Sequence, residues 1–580
     1  MTVWAPLPRS VTVVVDGASF AMERSDDGWW SAHVPAAAHG SDYAFVLDDG
    51  PPLPDPRSRW QPRGVHGPSR VYDHGGFAWT DGSWRGTAVP GAVFYELHIG
   101  TFTEGGTLDA AIERLDHLVS LGVDVVGLMP VAAFAGDAGW GYDGAHPYAV
   151  HEPYGGPDAL KRLVDACHAR GLAVCLDVVY NHLGPSGNYL PQFGPYFTEK
   201  HQTPWGAAVN LDDEGSTEVR RWVIDNALTW MRDFHVDALR LDAVHALEDD
   251  SPVHVLAELS REVDALSVAV RRPLSLVAES DLNQPTTVLP VDGGGLGMTA
   301  QWSDDFHHAL HALLTGEGQG YYADFAEAPF EALTRTLTGA FFHDGRHSSF
   351  RGAPWGAPVD RSRVPGWRFL GYLQTHDQVG NRALGDRIGH GLPAGLARVG
   401  AALVLTSPFT PMLFMGEEWG ASTPWQYFTS HEEEALAEAV RAGRRREFAA
   451  HGWAAEDVPD PQDGATVAAS TLRWEERSEE RHASMLGWYR ALISLRRSEP
   501  ELSDPRLDRV AVVCDARARW VVVTRGSLRI VANLAAAAQP VPLEGEAYEV
   551  LLASQPPTRA AGGLTLPAEA VVIARVTPRP

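Results

Sequence analysis

The chain has 580 residues, only three cysteines and a formal net charge of -27 at pH 7. This length exceeds what one compact core supports, which predicts a large central domain with smaller flanking ones. The negative charge argues against partners that are themselves anionic, namely nucleic acid and acidic membrane surfaces.

The three cysteines, Cys167, Cys175 and Cys514, have neither the even number of a disulfide framework nor the spacing of a zinc site. We interpret them as reduced packing residues and expect no metal and no cofactor. The first residues, MTVWAPLPRS, lack a basic segment followed by a continuous apolar stretch, and no other run is long enough to span a bilayer. A cytoplasmic location is therefore the expectation.

Residues 1–85 consist of short alternating segments such as VTVVV and DYAFVL, separated by Asp-Gly and Pro-rich turns. This pattern predicts an N-terminal antiparallel β-sandwich. The Pro-rich stretch at 51–69 is irregular, so we expect it to wrap around the rest of the protein rather than to fold independently.

From Val93 the pattern changes to a strand followed by an amphipathic helix, repeated along the chain. Such alternation predicts parallel strands joined by right-handed crossovers. Eight strands are predicted, the number in a closed (β/α)8, or TIM, barrel, which we place at residues 86–500 with insertions. They start near Phe94, Val123, Leu172, Asp237, Leu274, Met298, Arg368 and Pro408.

After Leu502 the alternating pattern returns in segments such as RVAVVCD, RWVVVTR and LRIVANL. This indicates a C-terminal antiparallel β domain at residues 501–580. The predicted fold class is therefore a multidomain α/β protein with a central barrel between two β domains.

Four acidic residues stand at the far ends of short apolar runs: Asp177, Asp242, Glu279 and Asp377. Charged groups are rarely placed beside buried strands without a reason. The carboxyl ends of all barrel strands face the same mouth, so these acids should converge on one pocket. Paired carboxylates are the groups that cleave glycosidic bonds.

Arg240 and Asp242 lie two residues apart on the predicted strand DALRLD, so both side chains share one face. A guanidinium beside Asp242 would keep the carboxylate ionised at neutral pH and make it a candidate nucleophile. The alternative for this pair is a purely structural ion pair.

Glu279 ends the apolar strand LSLVA, which offers no adjacent cation. Burial and a nearby negative Asp242 would raise its pKa, as suits a group that donates a proton to a leaving oxygen. The alternative is an acid at a helix N-terminus, since Ser280 and Asp281 follow it and resemble caps.

Other polar groups follow the same strands. His376 precedes Asp377, and Asn181 and His182 follow Asp177. Tyr142 and Asp143 belong to the segment WGYDG after the second predicted strand, where aromatic rings could stack on a pyranose. A single His or aromatic residue is more often part of a core, but their grouping at a predicted barrel mouth favours function.

The segments DVVYNH, LRLDAV, VAES and QTHDQ resemble, in order and spacing, the four short motifs of the α-amylase superfamily, glycoside hydrolase family 13. The resemblance implies that Asp242 is the nucleophile, Glu279 the general acid/base and Asp377 the transition-state stabiliser. It also implies that Arg240 is the partner of Asp242. Contacts to sugar are implied for Tyr142, Asp143, His182 and His376, and the N-terminal sandwich is expected to be carbohydrate-binding-like.

Further segments, including SRWQPRGVHGPS, YELHIGTFT and PMLFMGEEWGASTPWQYF, resemble the trehalose-releasing subgroup of this family. That subgroup cleaves the α-1,4 bond next to the terminal trehalose of malto-oligosyltrehalose, and its substrate is made by a malto-oligosyltrehalose synthase. The resemblance implies both for this chain. We expect the leaving-group side to be formed by Trp205, Glu417, Trp419 and Trp425.

Two alternatives remain open. One is a glycogen branching or debranching enzyme, which shares the sandwich and the barrel. The other is a catalytically inactive, amylase-like binding protein, which would be expected to have lost at least one of Asp242, Glu279 and Asp377, whereas all three are present.

Two features differ from the wider family. Only Met1 and Thr2 precede the segment VWAP, where relatives usually have more of the first strand, so the sandwich is expected either to reflect a downstream start or to lack part of an edge. Many amylases hold calcium near the position matching Asn181, but no second group of acids completes an oxygen cage here.

Overall fold

The computed structural model describes residues 1–449, 454, 457–543, 546–560 and 562–578. Its N-terminal part is the predicted sandwich of two antiparallel sheets. The alternating burial of Val11–Val15 explains the fold, because Val11, Val13 and Val15 face the core while the residues between them do not. The strands are Thr2–Trp4, Val11–Val15, Ala18–Ala21, Glu23–Arg24, Trp29–Ser31, Asp42–Leu47, Pro52–Leu53 and Ser69–Arg70.

The Pro-rich stretch wraps onto the central domain, as predicted. The indole Nε1 of Trp222 donates to the carbonyl of Pro56 over 2.9 Å, and Nε1 of Trp60 donates to Oε2 of Glu152 over 2.8 Å. These bonds join the stretch to two helical elements of the barrel.

The central domain is a closed barrel of eight parallel strands, which confirms the prediction. The strand expected near Met298 is present as the short sixth strand. In order, barrel strands 1 to 8 are Phe94–Leu97, Val125–Leu128, Ala173–Val178, Ala238–Leu241, Ser275–Ala278, Ala300–Trp302, Phe369–Tyr372 and Thr410–Phe414.

The inside of the barrel is filled by side chains from all eight strands, large ones such as Phe94 and Trp302 beside small ones such as Ala173 and Ala238. This is a packed core rather than a channel. Cys175 packs in it, as predicted, and all three cysteines are free.

Helices cover the barrel because each has one apolar face. In Gly156–Ala169, Leu160, Leu163, Val164 and Cys167 are buried at helical spacing. The connection between strands 5 and 6 departs from the repeat, since it contains only the 3₁₀ turns Pro285–Thr287 and Val291–Gly293. The main barrel helices are Leu108–Ile112, Leu115–Leu121, Gly156–Ala169, Ser216–Asp233, Val255–Val270, Asp304–Thr315, Pro329–Gly339, Ala394–Leu405 and Glu480–Ser498.

The C-terminal part is the predicted antiparallel β domain, with a five-stranded and a three-stranded sheet. Residues 544, 545, 561, 579 and 580 of this predicted domain lie outside the described residues. Its strands are Val510–Asp515, Trp520–Arg525, Leu528–Asn533, Gln539–Pro542, Glu546–Ala553, Thr558–Ala560, Gly563–Leu566 and Ala570–Pro578. Within the described part of the chain, none of the helices has the length and apolarity needed to cross a membrane.

Candidate active site

The parallel register of strands 3, 4 and 5 brings the predicted acids together. Arg240 pairs with Asp177 on one side and with Val277 on the other. Asp242 lies two residues after Arg240, and Glu279 lies two residues after Val277. Each therefore stands just beyond the end of its strand, and the two strands are neighbours. Neighbouring strands are about 4.8 Å apart, so the two carboxylic side chains start from adjacent backbone positions.

Arg240 is the centre of the cluster. Its Nη1 lies 2.7 Å from Oδ2 of Asp177 and 2.8 Å from Oδ1 of Asp242, and its Nη2 lies 2.7 Å from Oε2 of Glu279. The guanidinium carbon is 4.4 Å from the ring centroid of Trp302, and 4% of the Arg240 side chain is exposed. One buried cation therefore contacts three carboxyl groups.

These contacts correct one expectation. Glu279 was predicted to have no adjacent cation, but Arg240 reaches it from the neighbouring strand. A search along one strand misses such a contact, because pairing between strands decides it.

Glu279 nevertheless has a pKa raised well above its ordinary value. Burial is the main cause, Arg240 opposes it, and the negative charges of Asp242 and Asp377 add to it. The backbone N–H of Ala243 donates to Oε2 over 2.8 Å and fixes the carboxyl. A raised pKa favours the protonated form, from which a general acid donates.

The alternative for Glu279, an acid at a helix N-terminus, is wrong. The next helical element after it is the 3₁₀ turn Pro285–Thr287, six residues further on. Ser280 does make a local bond, since its hydroxyl accepts from the N–H of Leu282, but this caps no helix.

Asp242 is held from two sides. Nδ2 of Asn181 donates to Oδ2 over 2.8 Å and also to the Asp242 carbonyl over 2.9 Å, while Arg240 contacts Oδ1. Both donors fix the orientation of the carboxyl group. A positioned carboxylate of this kind can attack an electrophilic carbon.

His376 takes part in a chain of hydrogen bonds across the pocket. Its Nδ1 donates to Oε1 of Glu96 over 2.6 Å, and its Nε2 lies 2.8 Å from the hydroxyl of Tyr142, which donates to Oδ2 of Asp177 over 2.8 Å. Although burial lowers it, the pKa of His376 is raised to about 9 by Asp377 and Glu96. The imidazole is therefore protonated at neutral pH and donates from both nitrogens.

A substitution at Glu96 tests this charge state. Glu96→Gln removes a negative charge that raises the pKa of His376, so the titration midpoint of this imidazole should fall below about 9. The ¹⁵N chemical shifts of His376 against pH measure the midpoint. The high-pH limb of kcat/KM should move in the same direction, and an unchanged midpoint would mean that Glu96 does not set the charge.

The remaining predicted residues border the pocket. Oδ1 of Asp377 lies 3.4 Å from Nε2 of His376, and the Asp377 side chain is 35% exposed. The imidazole of His182 stacks on the indole of Trp205 with ring centroids 4.4 Å apart, and Nε2 of His182 lies 3.1 Å from the carbonyl of Tyr142. Asp143 is half-buried, 3.8 Å from Nε2 of His431.

Three residues of the expected leaving-group side have no open face, although the ring centroid of Trp425 lies 6.3 Å from that of His376. Glu417 is buried, where its Oε1 accepts from the hydroxyl of Tyr489 over 2.9 Å. Trp419 and Trp425 are also buried, so neither presents a free ring to solvent. The expectation for these three positions is corrected: the turn after strand 8 folds back into the protein, and only Trp205, which is 50% exposed, keeps an open face.

Three residues of the site were missed by the sequence analysis: Glu96, Trp302 and Asp304. Glu96 sits inside the apolar run VFYELHIG and gives the same signal, an acid within a buried strand, that revealed the other four. Burial raises the pKa of Asp304 to about 7, and this side chain accepts from the hydroxyl of Tyr372. Trp302 gave no signal, because an aromatic residue in a barrel strand is ordinary core.

One group in the described part of the chain has metal-ligand geometry: His201, Asp212 and Asp250. Nζ of Lys200 lies 2.7 Å from Oδ2 of Asp212 and 3.5 Å from Oδ2 of Asp250. This ammonium already supplies a positive charge to both acids, so we assign no metal to the group.

The barrel and its carboxylate cluster are those of the α-amylase class of glycoside hydrolases. In agreement, the family model "Alpha amylase, catalytic domain" matches residues 71–202, and "Domain of unknown function (DUF3459)" matches residues 505–573. The malto-oligosyltrehalose trehalohydrolase of Mycobacterium tuberculosis is 55% identical over 548 residues, 94% of each chain. That of Arthrobacter ramosus is 53% identical over 549 residues, again 94% of each chain. The chain therefore belongs to the malto-oligosyltrehalose trehalohydrolase family.

A solved structure agrees over the whole length. A protein from Salmonella typhimurium, provisionally named an alpha amylase, is 39% identical and superposes with a TM-score of 0.91. The match covers 99% of this chain and 97% of the other, so the two β domains and the barrel recur together.

Proposed function

We propose that this protein is a retaining glycoside hydrolase that cleaves the α-1,4 bond next to the terminal trehalose of malto-oligosyltrehalose. The products are trehalose and a shortened maltodextrin. The observation that carries the chemistry is the single buried guanidinium of Arg240 in contact with both Asp242 and Glu279. The identity to trehalohydrolases over nearly the whole chain supports the choice of substrate.

In the first step, a carboxylate oxygen of Asp242 attacks the anomeric carbon and forms a glycosyl ester. The bond to the trehalose oxygen breaks, and its electron pair takes the proton of Glu279. The raised pKa of Glu279 supports this role, because the group must arrive protonated. Asp377, close to the protonated His376, would stabilise the positive charge that develops on the sugar.

In the second step, Glu279 is now a carboxylate and removes a proton from water. The water oxygen attacks the anomeric carbon, the ester bond breaks and Asp242 leaves as a carboxylate. Two inversions give overall retention of the α configuration.

The position of the two carboxyls on adjacent strands supports retention over inversion. Retaining pairs are about 5–5.5 Å apart and inverting pairs about 6.5–9.5 Å, because the latter must admit a water molecule. Asp242 and Glu279 leave adjacent parallel strands, which are about 4.8 Å apart, and both contact one guanidinium.

We further propose that Trp205 contributes a sugar-stacking face. Trp205→Ala should raise KM about three- to tenfold with little change in kcat, since an aromatic stacking contact contributes about 0.5–1.5 kcal/mol. Steady-state kinetics on malto-oligosyltrehalose measure both constants. Trp205→Phe, which keeps an aromatic face, should retain most of the affinity; a fall in kcat alone would instead place Trp205 in the chemistry.

The wider setting is part of the same proposal. Residues 1–85 form a carbohydrate-binding-like domain, 86–500 the catalytic domain and 501–580 a separate β domain. The protein acts in the cytoplasm on malto-oligosaccharides that a malto-oligosyltrehalose synthase has capped with trehalose.

Product analysis tests this function. The enzyme is incubated separately with malto-oligosyltrehalose, maltoheptaose and amylopectin, and the products are separated by chromatography. Free trehalose from the first substrate is expected. New α-1,6 links or linear chains from amylopectin, without trehalose from the first substrate, would establish the branching or debranching alternative.

A further inference from the structure

Asp377 is the least tightly held of the three proposed catalytic acids. Its side chain is 35% exposed, and its Oδ1 lies 3.4 Å from both Nε2 of His376 and Nδ2 of Asn381. Asp242 and Glu279, by contrast, each have two nitrogens within 2.8 Å of their carboxyl oxygens. The position of the Asp377 carboxylate therefore depends mainly on the backbone that carries it.

That backbone is the short helix His376–Gly380, which is fixed at both ends. At its start, the hydroxyl of Thr375 accepts from the N–H of Asp377 over 3.2 Å and caps the helix. At its end, Gly380 packs directly on the indole of Trp140, where a β-carbon would lie 2.0 Å from a ring carbon. The helix therefore cannot move towards this indole.

The carbonyls at the end of the same helix are bound by Arg444. Its Nη2 donates to the carbonyl of Gly380 over 2.7 Å and to that of Arg382 over 3.3 Å. The Arg444 side chain is 9% exposed, and its guanidinium carbon lies 4.5 Å from the ring centroid of Phe448 and 5.3 Å from that of Tyr427. The last carbonyls of a helix have no partner within it, and a charged donor binds them more strongly than a neutral one.

Arg444 comes from the helix Glu434–Ala449, which follows strand 8 and is fastened to other loops of the barrel mouth. The hydroxyl of Ser430 accepts from a backbone N–H of the loop after strand 2 over 2.8 Å. Oε1 of Glu433 accepts from the hydroxyl of Ser186, in the loop after strand 3, over 2.9 Å. These contacts lie just before the helix and give Arg444 a fixed point of attachment.

We propose that Arg444 is a positioning residue for Asp377, an inference that rests on the proposed role of Asp377 as transition-state stabiliser. By binding the carbonyl of Gly380, three residues after Asp377, the guanidinium fixes the turn that carries the carboxylate. A displacement of about 1 Å in a catalytic group can lower the rate about 10²-fold, so an anchor at this distance from the chemistry affects turnover.

Arg444→Met removes the guanidinium but keeps an unbranched side chain that can still pack on Phe448. The value of kcat on malto-oligosyltrehalose should fall about 10- to 100-fold. KM should change less than about threefold, because Asp377 acts on a charge that develops only in the transition state. Steady-state kinetics measure both constants, and thermal unfolding monitored by circular dichroism reports on the fold. An unchanged kcat would overturn the proposal.

The matched control is Arg441→Met, three residues earlier on the same helix. The guanidinium of Arg441 pairs with Asp460 and Glu438 on the outer side of the segment. Turnover should stay within about twofold of the parent, since partly exposed ion pairs contribute little. A loss equal to that of Arg444→Met would show that the helix as a whole, and not Arg444, supports turnover, and would contradict the proposal.

A double-variant cycle with Asp377→Asn separates positioning from simple docking of the helix. If Arg444 acts through Asp377, Arg444→Met should lower kcat less than about twofold in the Asp377→Asn background. An equal loss in both backgrounds would overturn the role of Arg444 while leaving the proposed function intact. Parent-like turnover of Asp377→Asn alone would instead remove Asp377 as the stabiliser, and the positioning role with it.

A conservative variant covers the case in which Arg444→Met does not fold. Arg444→Lys keeps a positive charge and a hydrogen-bond donor but cannot reach both carbonyls with the fixed geometry of a guanidinium. Its kcat should lie between those of the parent and of Arg444→Met, and its loss should also disappear in the Asp377→Asn background. A loss that persists there would contradict the proposal.

Discussion

Asp242→Asn is expected to lower kcat by about 10⁴-fold or more while the protein stays folded, because the amide cannot form the glycosyl ester. The side chains have the same shape, so contacts with Arg240 and Asn181 persist in part. Steady-state kinetics give the loss in turnover, and thermal unfolding monitored by circular dichroism reports on the fold.

The matched control for this substitution is Asp225→Asn. Asp225 lies on a helix outside the barrel, where it pairs with Arg57 and Arg221 and its side chain is 33% exposed. Turnover of this variant should stay close to that of the parent. Turnover within tenfold of the parent in Asp242→Asn would remove the proposed nucleophile.

Glu279→Gln should lower kcat on malto-oligosyltrehalose by a similar amount, since the leaving trehalose oxygen no longer receives a proton. The loss should depend on the leaving group. A maltosyl fluoride releases fluoride without needing a proton, so the first step should remain fast and the glycosyl enzyme should accumulate, because the variant also lacks the base for the second step.

Intact-mass spectrometry after mixing with the fluoride detects the accumulated intermediate. Added azide, which attacks without a general base, should restore turnover of the fluoride. Asp242→Asn is the control, as it should form no adduct under the same conditions. Equal losses on both substrates, with no adduct, would show that Glu279 does not act as the acid.

Much of the fold follows from the order of patterns in the sequence. Eight strands that alternate with helices, between two stretches of alternating segments, predict the barrel and both β domains. Even the short strand Ala300–Trp302 is present close to the predicted strand start near Met298. The connection between strands 5 and 6 is the main exception, because its Gly- and Pro-rich residues form 3₁₀ turns rather than a helix.

The site residues could be predicted where the informative pattern, a charged residue at the end of an apolar run, lies within one strand. Asp177, Arg240, Asp242 and Glu279 follow from charges placed at the ends of apolar runs, and the structure brings them together. The contact between Arg240 and Glu279 depends on which strands are neighbours, so the sequence of strand 5 alone could not reveal it.

Loops were the least predictable part. The turn that holds Glu417 and Trp419 follows a strand, as active-site loops do, yet it packs against the helix Glu480–Ser498. The apolar surface of that helix, more than 60 residues later in the chain, decides the outcome. Local sequence therefore gives the position of such a turn but not the side to which it folds.

The most direct test of the central claim is the configuration of the first product. With maltotriosyltrehalose as substrate, ¹H NMR recorded before mutarotation resolves the anomeric protons of trehalose and of the newly released maltotriose. If Asp242 and Glu279 act as a retaining pair at the trehalose linkage, trehalose and α-maltotriose appear together, and the β anomer follows only slowly. Initial release of β-maltotriose, or cleavage without trehalose, would contradict the account.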